Sequence, residues 1–129
     1  MAKQTGAFEI ALAGQAVPAN GGAGEIVNPE GVTIIIKQAT LYVDTPASVA
    51  GGETLAVGAG AAGALNNNII AAQAIDGAIT GLAYNLLAPA AGAAEIMCTA
   101  AQVINATVSA ASAAFVGRLF VEYYRIDAE

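Results

Sequence analysis

Three glycines, Gly58, Gly60 and Gly63, follow a short apolar run (Leu55, Ala56, Val57) in the stretch ETLAVGAGAAGALNNN, residues 53–68. Their Gly-x-Gly-x-x-Gly spacing is that of a loop that lets backbone approach a pyrophosphate and opens a helix aimed at it. Asp76 lies downstream, where such a site takes the acid that holds the ribose. The surroundings do not fit. The strand before Asp76 would be AAQAI, with one β-branched residue, and a long segment precedes the motif where a minimal nucleotide fold would begin. The residues after Asp76 read as successive strands without a crossover helix. The glycines are expected to end a strand in a small-residue turn, and a nucleotide-binding protein using them is the least favoured function.

The other reactive residues are sparse. The chain has no histidine, which removes His general bases, Ser-His-Asp triads and His-based metal sites together. Ser109 and Ser112 therefore lack a partner that would make either a nucleophile. Asp44, Glu53, Asp76 and Glu95 are scattered and form no Asp-x-Asp-x-Asp-Gly loop, so they read as solvated turn residues, with a weak calcium site the one metal option left open. Cys98 is the single cysteine; no internal disulfide can form, and its apolar context predicts a buried, inert thiol. Asn105-Ala-Thr107 is a formal glycosylation sequon with no other secretory sign beside it. No catalytic residue, cofactor or metal is expected, and the chain reads as a non-enzyme.

Composition narrows the partners. A chain of 129 residues suits one domain that buries roughly 65–70% of its unfolded surface. Charged residues make up 11%, and the net charge is −6 with only Lys3, Lys37, Arg118 and Arg125 positive. Nucleic acid and anionic membrane surfaces both need clustered cations, so neither is an expected partner. No apolar run approaches the length of a membrane span. The opening MAKQTGAFEIALAGQAVPA is broken by Glu9 and reads as an ordered arm or first strand ahead of a leader peptide; synthesis in the cytoplasm is the expectation.

Strand signals recur at short spacing. Phe8, Ile10 and Leu12 alternate on one side of a first strand, and Pro18, Asn20, Gly21, Gly22 and Gly24 then break the chain. Glu25–Val27 is a short strand ended by the turn Asn-Pro-Glu-Gly at 28–31. In the long strand VTIIIKQATLYV (32–43), strict alternation puts Val32, Ile34, Ile36 and Tyr42 on one face and Ile35, Leu41 and Val43 on the other. The middle, 59–93, admits two readings: a helical stripe of Leu65, Ile69, Ala72 and Ile75, or an irregular excursion with a short helical turn. AITGLAYNLL (78–87) alternates like a strand, and AEIMCTA and VINATV give two more. The closing strand AAFVGRLFVEYYRI (113–126) sets Phe115, Leu119, Val121 and Tyr123 against Val116, Phe120, Tyr124 and Ile126; with both faces apolar it is central in a sheet or covered by another copy. The fold class is all-β: an antiparallel β-sandwich, jelly-roll-like, with a long Ala/Gly-rich excursion. Residues 1–22 form an N-terminal arm or first strand and 23–129 the sandwich domain.

The segments GVTIIIKQATLYVDTPASVAGGETLAVGAG, NNNIIAAQAIDG and AAFVGRLFVEYYRI resemble, over residues 23–126, a pattern in small structural proteins of tailed bacteriophages and prophages. There an alternating strand ends in a Val-Asp-Thr turn, a Thr-Leu-x-Val-Gly strand comes next, and a last strand closes with Gly-x-x-x-Val-Glu-Tyr. The resemblance implies a capsid decoration (cement) protein, a β-sandwich or jelly-roll subunit, often a homotrimer, bound outside the capsid shell. Its implied partners are copies of itself and the major capsid protein, and its implied location is the virion surface. A head-fibre or tail protein is the alternative. On either reading the work is contact, and the interface candidates are Phe8, Ile10 and Leu12 on the arm and Tyr123 and Tyr124, which point to opposite faces of the last strand.

Overall fold

Residues 4–77, 81, 83–85 and 96–126 are described by the computed structural model, and their alternating pattern becomes nine strands. In chain order these are β1 (Gln4–Ala13), β2 (Gly24–Val27), β3 (Ile34–Thr45), β4 (Thr54–Gly60), β5 (Ile70–Ala74), β6 (Ala83–Asn85), β7 (Ile96–Cys98), β8 (Val103–Val108) and β9 (Val116–Arg125). All pairings are antiparallel, and the described residues contain no helix. One sheet runs β1-β9-β3, with β6 and β7 sharing the far edge of β3; the other runs β2-β8-β4-β5. The chain is thus a β-sandwich made from an antiparallel ribbon folded in half. Its first and second halves pair as β1 with β9, β2 with β8, β3 with β6 and β7, and β4 with β5. Rolling that ribbon brings β9 against β3 and β8 against β4.

Period-2 alternation turns one face of each sheet inward. Ile10 and Leu12 of β1, Leu55 and Val57 of β4, Ile104 and Val108 of β8, and Leu119 and Val121 of β9 meet in a single buried cluster. Phe115, just before β9, is 1% exposed and fills the same core. Residues 4–13 are a strand of the first sheet, paired in unbroken register with Val116–Arg125. The closing strand lies between β1 and β3, so of the two readings it is central in a sheet, with Val116 and Phe120 exposed on its outer face.

Strict alternation fails in β3. Ile34, Ile36, Ala39, Leu41 and Val43 all face inward, although the sequence pattern separates the isoleucines from Leu41 and Val43. The register explains the difference: Ile36 pairs with Tyr123 and Gln38 with Glu122, so Lys37 is an extra residue that shifts the phase of the strand. A second irregularity between Val43 and Thr45 sets off Asp44. Such bulges re-aim side chains while the ladder continues on either side.

The middle of the chain also departs from the helical stripe. Residues 61–69 form a turn followed by irregular chain, and Ile70–Ala74 is a strand. Ile69 N–H donates to the Val57 carbonyl at 3.0 Å and Ile75 N–H to the Glu53 carbonyl at 3.0 Å, clipping both ends of this strand to β4. Pairing with an existing strand satisfies the backbone where glycines and asparagines give an isolated helix little support. Of AITGLAYNLL, Gly81 and residues 83–85 are described; the rest of 78–95, including Glu95, lies outside the described residues.

Removing Lys37 restores one-to-one pairing with β9 while Ile36, Ala39 and Leu41 stay inward. The chain without Lys37 is expected to fold with an unfolding free energy within about 1 kcal/mol of the parent. Removing Thr40 instead drives Gln38 into Ala39's place in the core and is expected to cost about 1–3 kcal/mol. Urea unfolding of the two deletions separates these outcomes; equal losses would contradict the bulge.

Candidate functional site

Gly58 and Gly60 are within β4, on its outward face. A Cβ built on Gly58 would lie 2.4 Å from the backbone carbonyl carbon of Asn66, and one on Gly60 would lie 2.4 Å from the Asn66 amide oxygen. Residues 61–68 fold back across the outside of β4 and β8, and glycine is needed because the returning loop occupies the space of a side chain. Gly63, at φ +69°, makes the reversal. Its N–H donates to Glu25 Oε2 at 3.0 Å, so an anion from the chain itself already takes this donor.

The rest of the loop is tied down by amides. Asn66 Nδ2 donates to the Ala61 carbonyl at 3.1 Å and to Asn105 Oδ1 at 3.3 Å. Asn105 Nδ2 in turn donates to Glu25 Oε2 and the Ala64 carbonyl, both at 3.0 Å. Asn68 acts as a side-chain strand residue, accepting from Ala59 N–H at 2.8 Å and donating to its carbonyl at 3.2 Å. The Gly63 N–H first, and then Asn105, hold the Glu25 carboxyl below its ordinary range. Asn105 is fully buried with its amide engaged, so the formal sequon presents no accessible acceptor. Beside the loop, on the same sheet face, lies a groove of about 390 Å³ with Ala56, Ala72 and Thr107 among its lining residues and Asn20, Leu65 and Asn67 at its sides.

The remaining polar candidates among the described residues are also spoken for. Asp44, set off by the second irregularity in β3, accepts a two-pronged pair from Arg118 Nε at 3.0 Å and Nη2 at 2.9 Å. Glu53 is buried and accepts from Ser48 Oγ at 2.7 Å; Asp76 accepts from Gly52 N–H at 2.7 Å. Ser109 and Ser112 accept from Thr54 and Gln15 N–H, at 2.9 and 3.3 Å. Burial pushes the Cys98 thiol up, away from the reactive thiolate. Among the described residues no group of three or more acidic or cysteine side chains is placed to hold a metal ion.

Of the interface candidates, Phe8, Ile10 and Leu12 all turn toward the interior. Ile10 is 8% and Leu12 2% exposed, and the Phe8 ring sits 5.7 Å from that of Tyr123. Tyr123 is buried as well; its hydroxyl donates to Glu30 Oε2, and Glu30 faces Arg125 at 3.5 Å. Gly6, opposite Tyr123 in the ladder, leaves room for the ring, since a Cβ there would lie 2.5 Å from the hydroxyl oxygen. These four side chains grip their own subunit.

Tyr124 points the other way, to the outer face of the first sheet. Register sets it in a row with Ile35 and Met97. Ile35, although turned from the core, is 7% exposed, while Met97 is 54% exposed. A parallel row holds Tyr42 and Arg118, with the guanidinium 4.8 Å from the Tyr42 ring centroid and 5.7 Å from that of Phe120. Phe120 and Ile126 are exposed on the same side. Aromatics, Met and Arg on a sheet face are the residues enriched where proteins meet. Phe120 and Ile126 are legible as the second apolar face of the last strand; Met97 and Arg118 join them only through pairing.

The outer edge of β1 has no strand paired to it among the described residues. Ala13 N–H points away from β9, to the Ala23 carbonyl at 3.0 Å, and Gly14 N–H points to the Phe115 carbonyl at 2.8 Å. Alternation then turns the backbone groups of Thr5, Ala7 and Glu9 outward along an edge with no Pro, Lys or bulge, the devices that usually blunt such edges.

No family model matches the chain, and no curated protein matches it at a significant level. Among solved structures it is similar to a chain of the cyanophage Pam1 capsid asymmetric unit, with 19% sequence identity, 96% of this chain and 85% of that one covered, and a TM-score of 0.56. A chain of the acidic stable capsid structure of Helicobacter pylori bacteriophage KHP30 aligns over 99% of both chains at 16% identity, with a TM-score of 0.48. At such identity the Pam1 likeness is one of fold.

Two measurements probe this geometry. Gly58→Ala forces Asn66 off the sheet and is expected to cost about 1–3 kcal/mol of stability, whereas neither parent nor variant is expected to bind NAD or ATP saturably in calorimetry. Nucleotide binding lost in the variant would restore the phosphate-loop reading. Burial first, and then the Glu30 hydrogen bond, push the Tyr123 phenol from 10.0 up to about 12. The folded value lies above the unfolded one, so this stabilisation is complete below about pH 10 and is lost as pH rises toward about 12. Unfolding free energy is expected to fall across that window, and Tyr123→Phe to flatten the fall.

Proposed function

We propose that this chain is a structural component of a tailed-phage virion that binds the outside of the capsid, associates with copies of itself and stabilises the shell. The observation that carries the reading is the fold shared with a phage capsid chain across 96% of the present one. The ribbon pairing supports a jelly roll: four antiparallel pairs alternate along the ribbon between the two sheets, β1–β9 and β3–β6/β7 in the first and β2–β8 and β4–β5 in the second. Among the described residues the candidate reactive side chains are engaged inside the subunit, and the reading gives the work to sheet faces and edges.

In this proposal, self-association uses the outer face of the first sheet. Phe120, Tyr42 and Arg118 supply rigid contact area around the Asp44 ion pair, with Met97, Tyr124 and Ile126 at the other end. A homotrimer is the assembly implied by the sequence resemblance. The edge at Thr5, Ala7 and Glu9 takes an extended segment of the major capsid protein; such strand addition draws its affinity from main-chain hydrogen bonds. A protein that binds assembled shells in preference to free subunits stabilises them by mass action, by about 2.7 kcal/mol per site at a hundredfold excess over Kd.

The test mixes purified protein with capsids that lack it and reads co-sedimentation, oligomeric state and, by imaging, position in the virion. Phe120→Asp is expected to weaken self-association at least about tenfold. Ala7→Pro removes an outward N–H without touching the β1–β9 ladder; it is expected to keep the fold and the oligomer but lose capsid binding. Density on a fibre or tail, or parent-like behaviour of both variants, would overturn the reading.

A further inference from the structure

Asn20 is the chain's one asparagine followed by glycine. It sits exposed in the turn Ala19–Gly22, which is closed by Gly22 N–H donating to the Ala19 carbonyl at 2.9 Å. Glycine at the next position leaves its backbone nitrogen sterically free to reach the asparagine side chain. We infer that Asn20 is a deamidation site whose rate is set by a latch, the hydroxyl of Thr107.

The chemistry needs only water. The Gly21 backbone nitrogen gives up its proton and attacks Cγ of Asn20; the new N–Cγ bond closes a five-membered succinimide as the Cγ–Nδ2 bond breaks and ammonia leaves. Water then opens the ring at either carbonyl, giving aspartate or isoaspartate. Nothing is oxidised or reduced. The attacking nitrogen is the atom the structure holds back: Gly21 N–H donates to Thr107 Oγ1 at 2.9 Å, reaching from the loop to β8. Thr107 is itself buried at 8% exposure, so its hydroxyl is held in place. The Glu25 carboxylate adds a second restraint, because a Cβ on Gly21 would lie 2.6 Å from Glu25 Oε2, and a nearby anion opposes negative charge growing on that nitrogen. The loop around the turn is pinned by Ala19 N–H to Gln15 Oε1 at 2.9 Å and by Ala23 N–H to the Ala106 carbonyl at 3.2 Å.

Deamidation places a new carboxylate at the groove on the second sheet, one residue from Gly21, which Glu25 Oε2 approaches. The modified loop therefore carries one more negative charge than the unmodified one.

The experiment incubates full-length protein at mildly alkaline pH and reads loss of the Asn20 amide by peptide mass analysis and isoaspartate content. Native protein, urea-unfolded protein, Thr107→Val and Thr107→Ser are compared, with folding checked by circular dichroism. Native protein is expected to lose the amide far more slowly than the unfolded chain. Thr107→Val is expected to lose it about two- to tenfold faster than native, the factor one net hydrogen bond supports, and Thr107→Ser, which keeps the oxygen, to stay near the native rate. A Thr107→Val rate equal to native, or first modification at an asparagine other than Asn20, would overturn the inference. So would a native chain that loses the amide as fast as the unfolded one, whether or not Thr107→Val folds.

Discussion

Strand β9 forms backbone ladders along both of its edges, to β1 over Gln4–Ala13 and to β3 over Ile34–Thr45, and the first sheet is assembled around it. Its inward residues Leu119, Val121 and Tyr123 are buried in the core, and its outward residues include Phe120 and Tyr124, central to the proposed contact face. The strand lies between β1 and β3, so the sheet cannot close until β9 is in place. Pairing β1 with β9 and β2 with β8 makes most of the contacts long-range, and loop closure must precede the reward.

The two outer faces of the sandwich are built from opposite materials. On the first sheet, bulky side chains at Tyr42, Phe120, Tyr124 and Met97 stand outward around the Arg118–Asp44 pair. On the second, β4 and β5 present Ala56, Gly58, Gly60 and Ala72, and the chain lies down on them. The alanine and glycine content answers a spatial need: residues 61–68 approach β4 so closely that Asn66 fills the volume of two absent side chains. Asparagines then replace the hydrogen bonds that water would give the loop backbone. An amide donates and accepts without carrying charge, which suits a chain with so few ionised groups.

The glycine motif shows how a local pattern can mislead. Its spacing matches a phosphate loop, yet Gly58 and Gly60 are spaced by two because both point to the outer face of one strand. Period 2 in a strand and Gly-x-Gly in a loop are indistinguishable as letters. The same limit explains Lys37: a bulge is defined against a partner strand, and β9 lies far away in sequence. Phe8, Ile10 and Leu12 were legible as one face, but whether that face meets a neighbour or its own core depends on the sheet beneath it. Met97 joins Ile35 and Tyr124 through pairings between separate parts of the chain, which no local pattern records.

What the sequence alone determined was local and periodic: the all-β character, the strand positions at both ends of the chain, the turns at glycine and proline, and the opposite directions of Tyr123 and Tyr124. Those are consequences of backbone sterics and alternation, which act over a few residues. Tertiary structure decided the phase of β3, the strand at Ile70–Ala74 in place of a helical stripe, the packing of Phe8, Ile10, Leu12 and Tyr123 against their own core, and the use of Gly58 and Gly60 as a seat for Asn66. Each of these depends on which strand lies alongside and which loop folds back, and the physical reason is that hydrogen-bond partners and excluded volume come from residues distant in the chain.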